Sequence, residues 1–472
     1  MMSKNDSPAA PSLTKGQSQL DSAALAAQAS FSVPELAAFV ADGEIETVLV
    51  VAPDLLGRFV GKRYTATAFL DHIADDEAPI CEYVLDRDVE MQPSEQAWGR
   101  GFSDWFLRPD LATLRRAAWL DRSAIVICDF VDGDGEPVEI APRQVLRRQL
   151  ERLAERGWSA RAASELEFIL FRTPLEQARL QGYRDLLPAT VYNTDFTTLA
   201  PSMAEDVMAP ICRALSASGL IVEDYKGESH PGQMEINLRF TDAMRMADDH
   251  MMFKEAAKVV AWRHGCALTF MPKFSEREGN SCHVHFSLWQ EDAPLFATAP
   301  AAENAIFRAF LAGQLRYSRE LCYLFAQNIN SYKRFAHRSF APVGITWGKD
   351  NRTCGLRVLG EGSAMRVESR IAGGDCNPYL AFAAVAAMGL DGIDRQLEPP
   401  PPYVGDGYEA PTESRLPTNL MAALQLFEAS EFARQAFGDE VVEHYLRAGW
   451  SEQRTYDAAV TDWDLWRSFE RL

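Results

Sequence analysis

Three short stretches of this 472-residue chain each place ionisable side chains two residues apart inside an apolar, strand-like run. They read SELEF over residues 164–168, SCHVHFSLW over 281–289 and RVESR over 366–370. Because residues i and i+2 of a β-strand share one face, the charged members of each run project from the same side. Charges crowded on one face of a sheet are costly unless they bind something. The pattern therefore predicts strands that meet at a binding site for divalent metal and phosphate.

The composition restricts the classes of function. The chain has 47% hydrophobic and 24% charged residues, which is typical of a globular protein with a large core. Its formal net charge is −20, and such a surface repels nucleic acids and anionic lipids, so we expect no nucleic-acid or membrane partner. The N-terminus lacks the apolar segment of a signal peptide, and the eight cysteines form no CxxC pair. Both features favour a cytoplasmic protein with reduced thiols.

The succession of predicted elements indicates an α+β fold with two domains. Residues 1–30 are rich in small and polar side chains and predict a disordered N-terminal arm. Short strand-like runs bounded by turns follow, and they predict a small β-rich domain over residues 31–135. Residues 136–472 combine helical runs, such as 142–157 and 242–265, with further strands. They form the predicted larger domain.

Oxygen and nitrogen donors recur in several of the predicted strands. Glu165 and Glu167 share a strand face, and further donors are Glu228, Glu235, His283, His285 and Glu368. Carboxylates with one or two imidazoles favour the hard divalent ions Mg²⁺ and Mn²⁺ over zinc, which prefers fewer oxygens and some thiolate. Arginines interleave with these motifs and are suited to bind phosphate and carboxylate groups: Arg334, Arg352, Arg357, Arg366 and Arg370.

The ordered set of motifs resembles the glutamine synthetase superfamily over roughly residues 35–470. The motifs are PDLLGRFVGKR (53–63), SELEF (164–168), GESHPGQMEINLRF (227–240), TFMPKF (269–274), GNSCHVHFSLW (279–289), NSYKR (330–334), DNRTCGLRV (350–358) and VESRIAGGDCNPYLAFAA (367–384). The resemblance implies a small β-grasp domain and a large catalytic domain with a curved antiparallel sheet and surrounding helices. It also implies active sites between subunits of hexameric rings, often stacked as a homododecamer.

The resemblance further implies roles for individual residues. The metal ligands on the substrate side would be Glu167, Glu228 and Glu235. Those on the nucleotide side would be Glu165, His283 and Glu368, and the site would take ATP with two or three Mg²⁺ or Mn²⁺ ions. The nucleotide would contact Glu223, Phe240, His285, Ser287, Trp289, Arg357 and Arg366. L-glutamate would contact Gly279, Arg334 and Arg370. The catalytic residues would be Arg352, for phosphoryl transfer, and Asp54 from a neighbouring subunit.

The chain departs from the family pattern at the flap that follows NSYKR. Glutamine synthetases carry there a glutamate that closes the ammonium site, whereas this chain has Phe340. Loss of that carboxylate removes the charge that favours ammonium, and the SFAP flap is similar to that of the γ-glutamylamine ligases. Lys226 and Gly227 replace two expected loop histidines, and Glu278 replaces an expected asparagine. These three changes alter the substrate contacts that the resemblance implies.

We therefore expect an ATP-dependent ligase of amine catabolism that joins the γ-carboxylate of L-glutamate to an amine through γ-glutamyl phosphate. The alternatives are an ordinary ammonia-using glutamine synthetase and a catalytically inactive member of the family. The amine stays open between two classes. A polyamine, alkylamine or ethanolamine has a pKa near the lysine value of about 10.4 and needs a base, for which Asp54 is the candidate. An arylamine arrives neutral and would stack near Phe340 and Trp98 or Trp105.

Overall fold

The computed structural model describes residues 29–298, 300–301, 303–411 and 414–472. The predicted disordered arm therefore lies outside the described residues up to position 28. Its last residue, Ser30, forms an isolated antiparallel bridge with Arg115. None of the helices in the described part of the chain combines the length and the apolar character needed to cross a bilayer.

A six-stranded sheet forms the N-terminal part of the structure. Its strands are β1 (Thr47–Pro53), β2 (Phe59–Thr65), β3 (Ala78–Cys81), β4 (Asp104–Pro109), β5 (Arg115–Arg116) and β6 (Ser123–Val131). The order is β2-β1-β6-β4-β3, with β5 added at β6. Strands β1 and β6 are parallel, and the other pairs are antiparallel. The accompanying helices are α1 (Val33–Ala41), α2 (Ala66–His72) and α3 (Glu95–Arg100).

Local capping determines where several of these elements begin. Ser32 and Glu35 form a reciprocal capping box at the start of α1. Residues 58–69 look like one strand in the sequence, but the Thr65 side chain accepts a hydrogen bond from the Ala68 N–H and starts α2. The run over residues 80–91 also looks strand-like in the sequence, but it contains only the end of β3, because a 3₁₀ turn follows Cys81.

A ten-stranded sheet forms the centre of the larger part. Its strands are β7 (Ser159–Phe171), β8 (Val222–Gly227), β9 (Gln233–Leu238), β10 (Thr241–Asp242), β11 (Ala267–Thr269), β12 (Cys282–Gln290), β13 (Ala293–Pro294), β14 (Trp347–Lys349), β15 (Leu356–Leu359) and β16 (Arg366–Ser369). The main order is β14-β15-β16-β12-β7-β9-β8. Every pair is antiparallel except β14 with β15.

Helices surround this sheet and confirm the α+β prediction. They are α4 (Pro142–Ala154), α5 (Leu175–Leu180), α6 (Leu199–Met203), α7 (Glu205–Ala217), α8 (Ala243–Arg263), α9 (Ala305–Tyr317), α10 (Cys322–Phe325), α11 (Pro378–Asp394), α12 (Leu420–Glu428), α13 (Glu431–Phe437), α14 (Asp439–Ala458) and α15 (Asp462–Ser468). Helices α9 and α11 pack with their backbones close together. A Cβ at Gly313 would lie 2.0 Å from the Met388 carbonyl oxygen, so the contact needs glycine.

The two central strands of the six-stranded sheet, β1 and β6, are buried on both faces. One face of β1 and β6 packs into a small N-terminal core through Val48, Val50, Ala124 and Val126. The alternate residues pack into the core of the larger part: Leu49, Val51, Ile125 and Ile127. This alternation follows from the period of two along a strand. The two parts therefore share one continuous packed interface.

A buried arginine strengthens that interface. Arg143 on α4 is 2% exposed and binds Asp110 at 2.6 Å, Asp129 at 2.7 Å and Asp248 at 3.1 Å. Asp248 also accepts a 2.6 Å hydrogen bond from the Tyr379 hydroxyl. The ions come from both parts of the chain, so this network ties the first sheet to helices α8 and α11.

Replacing Arg143 by methionine should lower the free energy of unfolding by about 3–5 kcal/mol, because it leaves the buried carboxylate of Asp248 without this counter-ion. Urea unfolding measures the change. Arg147→Met is the matched control, since Arg147 pairs with Asp129 but its side chain is 33% exposed. We expect that control to lose less than about 1 kcal/mol. Equal losses in the two variants would contradict a structural role for the buried pairs.

Candidate active site

Strand register brings the predicted metal ligands together. In β7, Glu167 lies opposite Glu235 of β9, and Glu165 lies opposite His283 of β12. The next strand places Glu368 opposite His285. Residues that lie opposite each other on neighbouring antiparallel strands point to the same face, so these side chains converge on one face of the sheet. The shared-face arrangement that the sequence predicts is therefore present.

The donor atoms form two groups. The ligand atoms of Glu167, Glu228 and Glu235 lie within 4.8 Å of one another, and so do those of Glu165, His285 and Glu368. The first group matches the set predicted for the substrate side. The second group contains His285 in place of the predicted His283.

His283 nevertheless contacts the same carboxylates as His285. Its Nδ1 lies 2.7 Å from Glu165 Oε1 and 3.6 Å from Glu368 Oε1. Its Nε2 is buried and has no hydrogen-bond partner among the described residues. His285 Nε2 lies 3.3 Å from the other oxygen of Glu165. The structure therefore places both imidazoles at Glu165, because residues two apart share a strand face.

The electrostatics of the first group fit a hard divalent cation. Burial and the neighbouring Glu228 carboxylate raise the pKa of Glu167 to about 8. Burial, with Glu165 and Glu167 nearby, raises the pKa of Glu235 to about 10. Crowded carboxylates of this kind cannot all ionise unless a cation joins them. An all-oxygen set is also the ligand type that Mg²⁺ and Mn²⁺ prefer.

Neighbouring groups fix the orientation of the acidic ligands. Glu167 Oε2 accepts hydrogen bonds from the Gln233 side chain and the Ser281 N–H, both at 2.8 Å. Arg370 donates to Glu368 at 2.5 Å and Arg357 donates to its other oxygen at 3.0 Å. Although burial opposes it, His283 and Arg370 lower the pKa of Glu368 to about 2. Glu368 is therefore ionised at neutral pH.

A cavity of about 380 Å³ opens beside the second donor group. It is lined by six of the seven residues predicted for the nucleotide: Glu223, Phe240, His285, Ser287, Trp289 and Arg366. The seventh, Arg357, lies instead between Glu368 and Asp350. Arg161, which the sequence interpretation missed, also lines the cavity and places its guanidinium 3.8 Å from the Trp289 ring centroid. It lies four residues before Glu165 on one strand, so the same period of two could have identified it.

The residues predicted for glutamate cluster on the other side of Glu368. Arg334 is 1% exposed and donates to Ser281 Oγ at 3.1 Å and to the Ile371 carbonyl. Nε of Arg334 and Nε of Arg370 are both buried without a partner in the described part of the chain. A Cβ at Gly279 would lie 2.0 Å from the Pro272 carbonyl oxygen, so this position needs glycine.

The predicted catalytic residues differ in their placement. Phe340 has a positive φ of 61° and an exposed ring, and its carbonyl accepts a 3.4 Å hydrogen bond from Arg370. Arg352 is exposed on the loop after β14 and lines a separate cavity with Asp350. Asp54 is fully buried and accepts hydrogen bonds from the Leu56 and Arg58 N–H groups.

Asp54 also pairs with arginines of its own chain. Arg58 lies 2.8 Å from its carboxylate, and Arg87 lies 3.8 Å from it. A role as base stays a prediction, and it requires release of Asp54 from Arg58. The two tryptophans predicted as possible amine contacts belong to the N-terminal part, where Trp98 packs on Phe102 and Trp105 on Phe130.

Lys226, at the end of β8, enters the first donor group. Its Nζ contacts Glu228 and lies 3.7 Å from Glu235 Oε2. Although burial opposes it, the Glu235 and Glu228 carboxylates raise the pKa of Lys226. The side chain is therefore an ammonium ion placed among the predicted metal ligands.

Comparison with known proteins identifies the family of this chain. The glutamine synthetase catalytic domain matches residues 139–468. Gamma-glutamylethanolamide synthetase of Streptomyces coelicolor is 46% identical over 93% of this chain and 96% of its own length. Glutamate–isopropylamine ligase of Pseudomonas sp is 36% identical over 91% and 96%, respectively. The solved structure of GmaS without ligand superposes with a TM-score of 0.80 at 29% identity, covering 92% of this chain and 98% of that one. The chain therefore belongs to the glutamine synthetase family, and within it to the γ-glutamylamine synthetase branch.

Proposed function

We propose that this protein is an ATP-dependent carbon–nitrogen ligase that joins the γ-carboxylate of L-glutamate to an amine. The products are a γ-glutamylamide, ADP and phosphate. The observation that carries the proposal is the pair of donor groups on one sheet face, with a nucleotide-sized cavity on one side and two buried arginines on the other. This order of sites matches a reaction that brings a phosphate chain and a dicarboxylic acid together at metal ions.

The chemistry divides into two displacements. An oxygen of the glutamate γ-carboxylate attacks the γ-phosphorus of ATP, and the bond to the ADP oxygen breaks. The amine nitrogen then attacks the γ-carbonyl carbon, phosphate leaves, and the amine loses a proton to a base. Two or three bound Mg²⁺ or Mn²⁺ ions would neutralise the charge that develops on the phosphates.

The residues of this chain hold the reactants for these steps. Arg334 and Arg370 are suited to bind the carboxylates of glutamate, because each has a buried Nε without a partner among the described residues. We assign a phosphate contact to Arg357, whose guanidinium lies beside Glu368. We assign stabilisation of the transferring phosphoryl group to Arg352, which shares the loop of Asp350.

We further propose a cytoplasmic homo-oligomer with active sites between subunits in hexameric rings, stacked as a dodecamer. Family membership supports this assembly, since the active sites of the family lie between neighbouring subunits. The net charge of −20 favours small molecules as partners over nucleic acids or anionic membranes.

A panel of amines tests the function directly. The expected result is strong ADP release when ATP, glutamate and Mg²⁺ are combined with one of isopropylamine, ethanolamine, putrescine or aniline, and at least tenfold less with ammonium. Phe340 at the flap is the reason, because it supplies no carboxylate to bind ammonium. Full activity with ammonium alone would favour the ordinary glutamine synthetase. No ADP release with any amine would favour an inactive family member.

A further inference from the structure

The surroundings of Lys226 describe a site for an alkylammonium ion. In addition to its contacts with Glu228 and Glu235, Nζ lies 3.5 Å from Asp195 Oδ1 and 4.4 Å from the centroid of the Phe196 ring. Carboxylates on one side and an aromatic face on the other are the two kinds of group that hold an ammonium ion. The site is thus occupied by a primary ammonium that is tethered to the chain.

The charged partner of Asp195 in this site is Lys226. Its Oδ1 is buried and has no hydrogen-bond partner among the described residues, although the side chain as a whole is 36% exposed. A buried carboxylate oxygen without a hydrogen bond is costly, so this oxygen depends on a nearby cation. The Asp195 N–H donates to Asn193 Oδ1 at 2.9 Å, which fixes the turn that presents the carboxylate. The geometry therefore gives this oxygen an ammonium ion at 3.5 Å and no hydrogen bond among the described residues.

The same loop offers an apolar surface to the carbon part of such an ion. The exposed apolar side chains on it are Val191, Tyr192, Phe196 and Leu199. Phe196 also has a positive φ of 54°, which is uncommon for a bulky residue. Such strained backbone conformations occur most often at functional sites. An amine with a short carbon chain would contact both the carboxylate and this surface.

We propose that Asp195, together with the ring of Phe196, binds the ammonium group of the amine substrate, so that the substrates are primary alkylammonium ions rather than arylamines. This inference rests on the proposed ligase function. It supplies the negative charge that the flap lacks at Phe340 and that Asp54 shares with Arg58. An arylamine is neutral at neutral pH, so it could donate a hydrogen bond to a carboxylate but would lack the ionic attraction of an ammonium ion.

Lys226 occupies this site only as a substitute. Glu228 and Glu235 would release Lys226 on holding a divalent cation, because like charges that share the same carboxylates repel strongly in a partly buried site. The lysine side chain is flexible and can withdraw. Asp195 then becomes available to the free amine, which competes with Lys226 for the same oxygen. Removing Asp195 or Lys226 should consequently change amine binding in opposite directions.

The test is a comparison of Michaelis constants for isopropylamine and ethanolamine in the full-length protein. Asp195→Asn should raise the amine KM at least tenfold while the KM values for glutamate and ATP stay within twofold, and Asp195→Glu should recover part of the loss. Lys226→Met should lower the amine KM. Asp185→Asn, an exposed carboxylate on the same connection between β7 and β8, is the matched control and should leave every constant unchanged.

The outcomes separate this inference from the function on which it rests. If the wild-type protein releases no ADP with any amine, the ligase function fails. If the wild type is active and Asp195→Asn keeps its amine KM, or loses glutamate binding equally, the amine site is elsewhere. Preference for aniline over isopropylamine in the wild type would also overturn the inference. Thermal stabilisation by isopropylamine with Mg²⁺ and ADP, lost in Asp195→Asn, would support it without turnover.

Discussion

Replacing Glu235 by glutamine should abolish amine-dependent ADP release and, at the same time, make the metal-free protein more stable. Glu235 is 2% exposed, and its pKa of about 10 means that folding must protonate it at neutral pH. Glutamine keeps the acceptor for the 2.9 Å hydrogen bond from Asn237 but needs no proton. The free energy of unfolding of the metal-free protein at pH 7 should rise by about 2 kcal/mol, a value that allows for the lost contact with Lys226. Activity should fall by a factor of about 1,000 or more.

The pH dependence of the stability is a second test of the stabilisation expected for Glu235→Gln. A carboxyl whose pKa rises on folding, here from 4.5 to about 10, contributes its full stability below the unfolded value and loses it as pH rises toward the folded value. The metal-free wild type should therefore lose stability between about pH 5 and pH 9 by this route, and the Glu235→Gln variant should lose less.

Metal addition completes the experiment on Glu235. Mn²⁺ should stabilise the wild type against heat and should stabilise Glu235→Gln much less, because one of three carboxylate ligands is gone. Glu155→Gln, at an exposed position after α4, is the control and should behave as the wild type. A metal-free Glu235→Gln protein that is as unstable as Arg143→Met would contradict the account of crowded carboxylates.

Replacing Phe340 by glutamate should move the preference from larger amines toward ammonium. The Phe340 carbonyl accepts a hydrogen bond from Arg370, so the flap residue lies beside the predicted glutamate site. Its ring is 61% exposed, and the exchange should therefore leave the stability nearly unchanged. A new carboxylate there would bind a small cation and reduce the space for carbon. We expect the ratio of kcat/KM for ammonium over isopropylamine to rise about 100-fold, a difference of about 3 kcal/mol.

Phe340→Gln separates charge from size in this experiment. Glutamine has the volume of glutamate without its charge, so it should not raise the kcat/KM for ammonium. If both variants gain ammonium activity equally, the aromatic ring excludes ammonium by shape alone. If neither changes the ratio, the selectivity is determined by other residues, and Asp195 is then the first to examine.

The strands of the candidate site could be predicted because apolar and ionisable residues alternate along them, and this alternation determines the face on which each side chain lies. The i, i+2 spacing of Glu165 and Glu167 places both on one face, and the flanking strands add their donors at matching positions. The same spacing explains the uncertain assignment of the two histidines, since His283 and His285 also share a face. Sequence spacing gives the face of a strand but does not choose between neighbours on it.

The positions of loop residues could not be predicted from sequence spacing. Asp195 lies in a connection without periodicity, and its contact with Lys226 depends on how two separate segments meet. The pairing of Asp54 with Arg58 also needs the turn after β1 to be known, although the two residues are only four apart. Such placements depend on tertiary packing, which single-sequence patterns do not contain.

The burial of β1 and β6 on both faces makes hinge bending between the two parts of the chain unfavourable as a route for substrate entry. Hinge bending between the two parts would expose Leu49 and Ile127 to water together with the buried charges around Arg143, and each fully buried aliphatic side chain alone accounts for about 2 kcal/mol. For these two side chains together the opening costs about 4 kcal/mol. Movement of the partly exposed segments at residues 191–199 and at the flap around Phe340 would widen access to the predicted metal ligands without that loss of burial.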